Sequence, residues 1–172
     1  SRNRIFIGGG GGAGDGNDGY QTNGANGGGL VYFLIKGNLL GTGTINANGG
    51  DAVASLGKDA AGGGGGGGTI FLNVLGQINS NISINAKGGN GGSQLIGLVN
   101  EAEGPGGGGG GGAVFLSKSS SLTINVSGGK NGSTNSSATT EFIPNGATSG
   151  ASGFIDFSAT LPVSMIDFSA ES

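Results

Sequence analysis

Residues 62–68 and 106–112 are uninterrupted runs of seven glycines, and residues 8–12 add a run of five. Glycine loses more backbone entropy on ordering than any other residue, and it weakens helix and strand interiors. A folded chain with such runs must place them where the missing Cβ is itself an advantage, in close approach of backbone to backbone. Glycine-rich sequence usually forms flexible linkers, but linkers join domains, whereas these runs recur at fixed places in a repeat. Extended threefold helices of the polyproline-II kind, rising about 3.1 Å per residue, meet the requirement. Glycine segments in that geometry can pack as a layer, with N–H···O=C bonds and Cα–H···O contacts between them. Collagen is excluded, because the G-X-Y period is missing and proline totals three.

The repeat shows in the apolar runs that succeed the glycines. Gly29, Gly68, Gly112 and Gly153 each lead into a short apolar run, at spacings of 39, 44 and 41 residues. These runs are Leu30-Val31-Tyr32-Phe33, Thr69-Ile70-Phe71-Leu72, Ala113-Val114-Phe115-Leu116 and Phe154-Ile155-Asp156-Phe157. A second run comes after each of the first three, centred on Ile45, Ile84 and Ile124, and then meets a Gly-Gly pair at 49–50, 88–89 or 128–129. Leu30–Ile35 is apolar at every position, the pattern of a strand buried on both faces. The second run alternates: Ile82, Ile84 and Ala86 fall on one face, Ser83 and Asn85 on the other, as in a strand with one wet side. No segment carries a useful helical period.

The expected fold is therefore all-β, a β-solenoid-like stack of units of about 40 residues with polyglycine-II-type segments, occupying residues 1–160. Stacked antiparallel hairpins, or a β-sandwich turned at Gly37-Asn38 and Gly76-Gln77, are the alternative. A parallel stack would align Asn46, Asn85 and Asn125 as an asparagine ladder.

Composition removes several kinds of chemistry. The chain has no His, Cys or Trp, so it offers no zinc site of the usual nitrogen and sulfur type, no thiol nucleophile and no Ser-His-Asp triad. Seven basic residues, spread singly, make no nucleic-acid footprint. No apolar run is long enough to insert in a membrane. Asp15 and Asp18, in Gly14-Asp15-Gly16-Asn17-Asp18-Gly19, are the candidate calcium ligands. The calcium nonapeptide G-G-x-G-x-D would need aspartate where Gly16 stands, and it would need tandem copies, so a solvated acidic turn competes with that reading. Glu101 and Glu103 form a surface carboxylate pair, and stacking by the repeat sets Asp51 beside Asn90 and Asp59 beside Leu98, which gathers no acidic cluster. The glycine runs lack the lysine and helix of a phosphate loop. The expectation is a chain with no cofactor that is not an enzyme. Most of the aromatic residues sit in the strand runs, where core packing outweighs a role in stacking on sugars. Tyr20 is the aromatic candidate in a turn between glycine segments.

Ser1 in place of an initiator Met points to a processed chain or a segment of a longer one. Glycine stops at Gly153, and residues 161–172 read Leu-Pro-Val-Ser-Met-Ile-Asp-Phe-Ser-Ala-Glu-Ser. This stretch resembles the L-P-V-x-L-x-x-F-x-A segment that opens a fibronectin-like or linker module in secreted proteins of Bacteroidota, with Met165 where leucine is commoner. Arg4-Ile5-Phe6-Ile7 ahead of the first glycine run is similar to the glycine-rich region of the same exported proteins. The resemblance implies an extracellular or cell-surface protein exported by type IX secretion, with adhesive or gliding-related roles. Its implied partners are the outer-membrane translocon, surface polysaccharide and other cells, and it carries no catalytic residues over. The alternative function is a receptor-binding tip of the phage tail-fibre type, which would share the glycine layer.

Overall fold

A computed structural model describes residues 5–96, 103–118, 122–136 and 147–158. Among the described residues seven strands form, in chain order β1 (Leu30–Ile35), β2 (Leu39–Asn46), β3 (Thr69–Val74), β4 (Ile78–Asn85), β5 (Ala113–Leu116), β6 (Thr123–Asn125) and β7 (Phe154–Asp156). They make two sheets, ordered β1-β3-β5-β7 and β2-β4-β6, in which every pairing is parallel. The described residues contain no helix. The two strands of one unit lie in different sheets, so the stacked-hairpin alternative is not what forms. Gly37-Asn38 and Gly76-Gln77 carry the chain from one sheet to the other.

Apolar periodicity explains the division. Ile70, Leu72 and Val74 of β3 and Val114 and Leu116 of β5 are fully buried, facing Ile84 of β4. Val31, Ile35, Ile45, Ile78, Ile82 and Ile124 close the sides of this aliphatic core. Burying each Ile, Leu or Val contributes about 1.5–3 kcal/mol. The alternating second runs behave as their pattern requires: Ile84 is buried while Asn79 and Asn81 face solvent. A second apolar group, Phe71, Ala113 and Phe115, lies on the opposite face of the larger sheet. There the rings of Tyr32, Phe71, Phe115 and Phe154 form a column with centroids 5.2, 6.3 and 5.4 Å apart.

One expectation needs correction. The uniformly apolar β1 is not buried on both faces; Leu30, Tyr32, Phe33 and Leu34 are each 40–45% exposed. Its apolar run matches that of β3, but it is the edge strand and has a neighbour on one side alone.

Every strand continues into a glycine-rich segment of the same layer. Segments 22–28, 60–68, 104–112 and 147–153 lead into β1, β3, β5 and β7, and 47–53, 86–92 and 126–132 come after β2, β4 and β6. Segment 8–14 runs alongside 22–28 and 60–68, bonding Gly8 N to Gly28 O and receiving Gly66 N at Gly9 O. The central run shows how the layers are joined. Gly63 and Gly66 donate to Gly12 and Gly9, Gly64 and Gly67 to Gly107 and Gly110, and Gly65 and Gly68 to Gly50 and Ala47. Successive N–H groups turn by a third of a revolution to three different neighbours, and two further segments donate back through Ala25, Gly28, Gly89 and Gly92. Such packing leaves room for a side chain at every third position only. A Cβ on Gly63 or Gly66 would come no closer than 3.5 Å to any neighbour, whereas Gly62, Gly64, Gly65, Gly67 and Gly68 each face another backbone at less than contact distance. Five of the seven glycines in this run are a packing requirement.

Candidate functional site

The glycine segments turn back at the end away from the sheets, and the first two turns, 15–21 and 54–59, meet there. Asp59 is the hinge of this meeting. Its side chain is completely buried, and its carboxylate accepts from four backbone N–H groups of the other turn. Asn17 and Asp18 donate to Oδ1 at 3.2 Å, Tyr20 to Oδ2 at 2.7 Å and Gln21 to Oδ2 at 3.1 Å. Burial alone pushes the carboxyl upward; the donors, led by Tyr20 N, outweigh it and hold Asp59 below its ordinary value of 3.8. The carboxylate is thus the ionised centre of a ring of main-chain dipoles.

A polar column supports the turn from beneath. Ser55, Gln94 and Thr134 are bridge partners across three successive units, and Ser55 and Gln94 are fully buried. Ser55 Oγ donates to Tyr20 O at 3.0 Å. Gln94 Nε2 donates to Lys58 O at 2.6 Å, and its Oε1 accepts from Gly104 N and Thr134 Oγ1, both at 3.2 Å. Every polar atom of the Gln94 amide is engaged, as burial at this depth demands.

What these contacts hold in place is apolar and exposed. The Tyr20 ring lies over Gly57, where a Cβ would be 2.7 Å from Tyr20 Cδ1, yet Tyr20 is 57% exposed and Leu56 beside it 77%. A groove of about 500 Å³ runs along the adjoining segments 21–26 and 50–53, lined by the side-chain amides of Gln21, Asn23 and Asn26.

The residues singled out from the sequence fall in two places. Asp15 and Asp18 are both exposed on the 15–21 turn. The N–H groups of Asn17 and Asp18 turn inward to Asp59, so the turn receives an anion at its centre. Among the described residues no group of three or more acidic side chains is placed to hold a metal ion. Asn46, Asn85 and Asn125 are successive register partners in the smaller sheet. Asn85 Nδ2 donates to Asn46 Oδ1 at 3.0 Å, while Asn125 Oδ1 accepts from Ser127 N at 3.0 Å. Glu101, Leu98 and the segment 161–172 lie outside the described residues.

Other Asx residues tie one unit to the next, and Asp51 meets Asn90 as stacking by the repeat expects. Asn38 receives Gln77 N, Asn48 receives Lys87 N, Asp51 receives Asn90 N and Asn90 receives Lys130 N, at 2.6–2.8 Å. Their spacing of 39 or 40 residues was the available signal. Asp59 has no such copy.

Comparison of the chain with protein-family models, curated proteins and solved structures finds no match.

Proposed function

We propose that this chain is a non-enzymatic adhesive module: a β-solenoid whose glycine half is a polyglycine-II layer, presenting Tyr20 and Leu56 to a surface polymer. One observation carries the reading. Exposed Tyr20 and Leu56 stand on the two turns that meet at Asp59, and the buried carboxylate fixes the backbone of the Tyr20 turn; that preorganisation reduces the entropy lost on binding. The low charge of the chain, 10% of residues, and its Asn, Ser and Thr side chains suit contact with neutral polysaccharide. Export to the cell surface by type IX secretion, with the translocon as partner, rests on the resemblance of segment 161–172.

The test is binding of the purified protein to polysaccharide-coated surfaces and to whole bacterial cells, followed by interferometry. Tyr20→Ala with Leu56→Ser should weaken binding at least tenfold while leaving the melting temperature within a few degrees. Retention that is equal in this variant overturns the assignment. The position of Tyr20 between two glycine segments also favours the second reading, a receptor-binding tip. That reading gains if the protein binds a foreign outer-membrane protein in preference to polysaccharide.

A further inference from the structure

The two ends of the larger sheet expose apolar surface that the same strand type buries everywhere else in the stack. At one end, Tyr32 and Phe33 of β1 are each 44% exposed, whereas their register partners Phe71 and Leu72 in β3 are 2% and 1% exposed. At the other end, Phe154 and Ile155 of β7 are 40% and 37% exposed, whereas their partners Ala113 and Val114 in β5 are fully buried. The difference is positional: β3 and β5 have a strand on each side, and β1 and β7 have one neighbour.

Edge strands of soluble proteins are ordinarily blunted by lysine, proline or a bulge. β1 contains no charged residue and no proline, and β7 contains a single charge, Asp156. Asp156 Oδ1 is already engaged by Ser158 N and Oγ at 2.8 and 2.7 Å. Repeat proteins that stay monomeric close their stacks with polar capping units. Among the described residues neither end of this sheet carries one.

We infer that these two ends are the halves of one head-to-tail interface, in which β7 of one copy of this chain pairs in parallel with β1 of the next. The occupant is identified by the molecule's own junctions. β1-β3, β3-β5 and β5-β7 each join the outgoing edge of one unit to the incoming edge of the following one, in parallel and in register. A second copy repeats that junction a fourth time. It sets Leu30 and Val31 of one copy against Phe154 and Ile155 of the other, and it extends the aromatic column from Phe154 to the next Tyr32. The two surfaces differ from each other, so the contact is heterologous and does not close into a dimer.

Sedimentation velocity on the 172-residue protein tests this from low to high micromolar concentration, with expected masses rising through successive multiples of the protomer. Two variants make the test directional. Tyr32→Lys with Leu34→Lys blocks the β1 end, and Phe154→Lys with Phe157→Lys blocks the β7 end. Each should be monomeric alone, and an equimolar mixture should give a one-to-one dimer, because each supplies the end that the other lacks. Cross-linking of the unaltered protein should join residues 30–36 of one copy to 154–158 of another, which keeps the proposal testable if a variant fails to fold. A monomeric wild type at every concentration, self-association of the β1-blocked variant, or a mixture with no dimer would overturn it.

Discussion

Adjacent glycines in the central run should respond to alanine in opposite directions. A Cβ at Gly65 would lie 2.6 Å from the carbonyl carbon of Asn26 and 3.1 Å from Gly27 N. Carbon atoms pack at about 3.5–4.0 Å, so segment 22–28 would have to withdraw by roughly 1 Å. That segment is bound to the central run by Ala25 N to Gly63 O at 3.0 Å and Gly28 N to Gly66 O at 2.8 Å, which flank the intrusion. Losing both, with their groups left away from water, costs about 2–5 kcal/mol for Gly65→Ala. Gly66→Ala meets nothing nearer than 3.5 Å, and its backbone is outside the left-handed region. Alanine there reduces the freedom of the unfolded chain and stabilises by about 0.4–1 kcal/mol. For a domain of this size each kcal/mol shifts the melting temperature by about 2–4 °C. Thermal unfolding followed by circular dichroism should therefore place Gly65→Ala roughly 5–15 °C below the wild type and Gly66→Ala level with it or slightly above. Equal losses in the two variants, or the reverse order, would refute the threefold packing argument.

Asp59→Asn should lower stability at neutral pH, since four N–H donors lose an ionised acceptor. Because the folded-state pKa is depressed, the Asp59 contribution is complete above the ordinary value of 3.8 and disappears as pH falls through the folded value. The gap between wild type and Asp59→Asn in urea midpoints should accordingly close below about pH 4, and a gap that widens there would contradict the sign. Gly57→Ala should displace the Tyr20 ring at a cost of about 1–3 kcal/mol, seen as faster hydrogen exchange at amides 17–21 and a changed tyrosine fluorescence. Ile84→Ala, at a fully buried site, should cost about 2–5 kcal/mol. Asn85→Ala, which removes an exposed bond to Asn46, should cost no more than about 1 kcal/mol in the same denaturation series.

The unit length was legible because a parallel in-register stack must bring each strand to its own copy. The spacings after Gly29, Gly68, Gly112 and Gly153 are those separating Leu30, Thr69, Ala113 and Phe154, which are register partners. The choice between hairpin and parallel stack was not legible, since Gly37-Asn38 serves either. It is settled by burial: Ile70, Leu72 and Ile84 fill one core only if the first and second runs face each other across it. The Asp59 site was hidden for a different reason. The 39-residue repeat sets Tyr20 opposite Asp59, but Asn17, Asp18, Tyr20 and Gln21 donate through main-chain N–H groups, which no side-chain pattern reveals. The exposure of β1 was hidden too, because an apolar strand reads alike at the middle and at the end of a sheet.

The one-in-three rule has a consequence for how such a surface can change. Where a glycine segment borders solvent, its open positions project outward about 9 Å apart along the chain, and neighbouring segments repeat them about 4.8 Å away. Asn48 and Asp51, Lys87 and Asn90, Ser127 and Lys130 occupy such a grid on the outside of the second layer, three rows by two columns. These pegs carry acid, base, amide and hydroxyl on one board, and the board beneath is glycine whichever peg is fitted. Variation can therefore redraw the chemical pattern of this face at Lys87, Ser127 and Lys130, whereas Asn48, Asp51 and Asn90 also receive the N–H of the next unit and, like the lattice beneath, hold the rows in place.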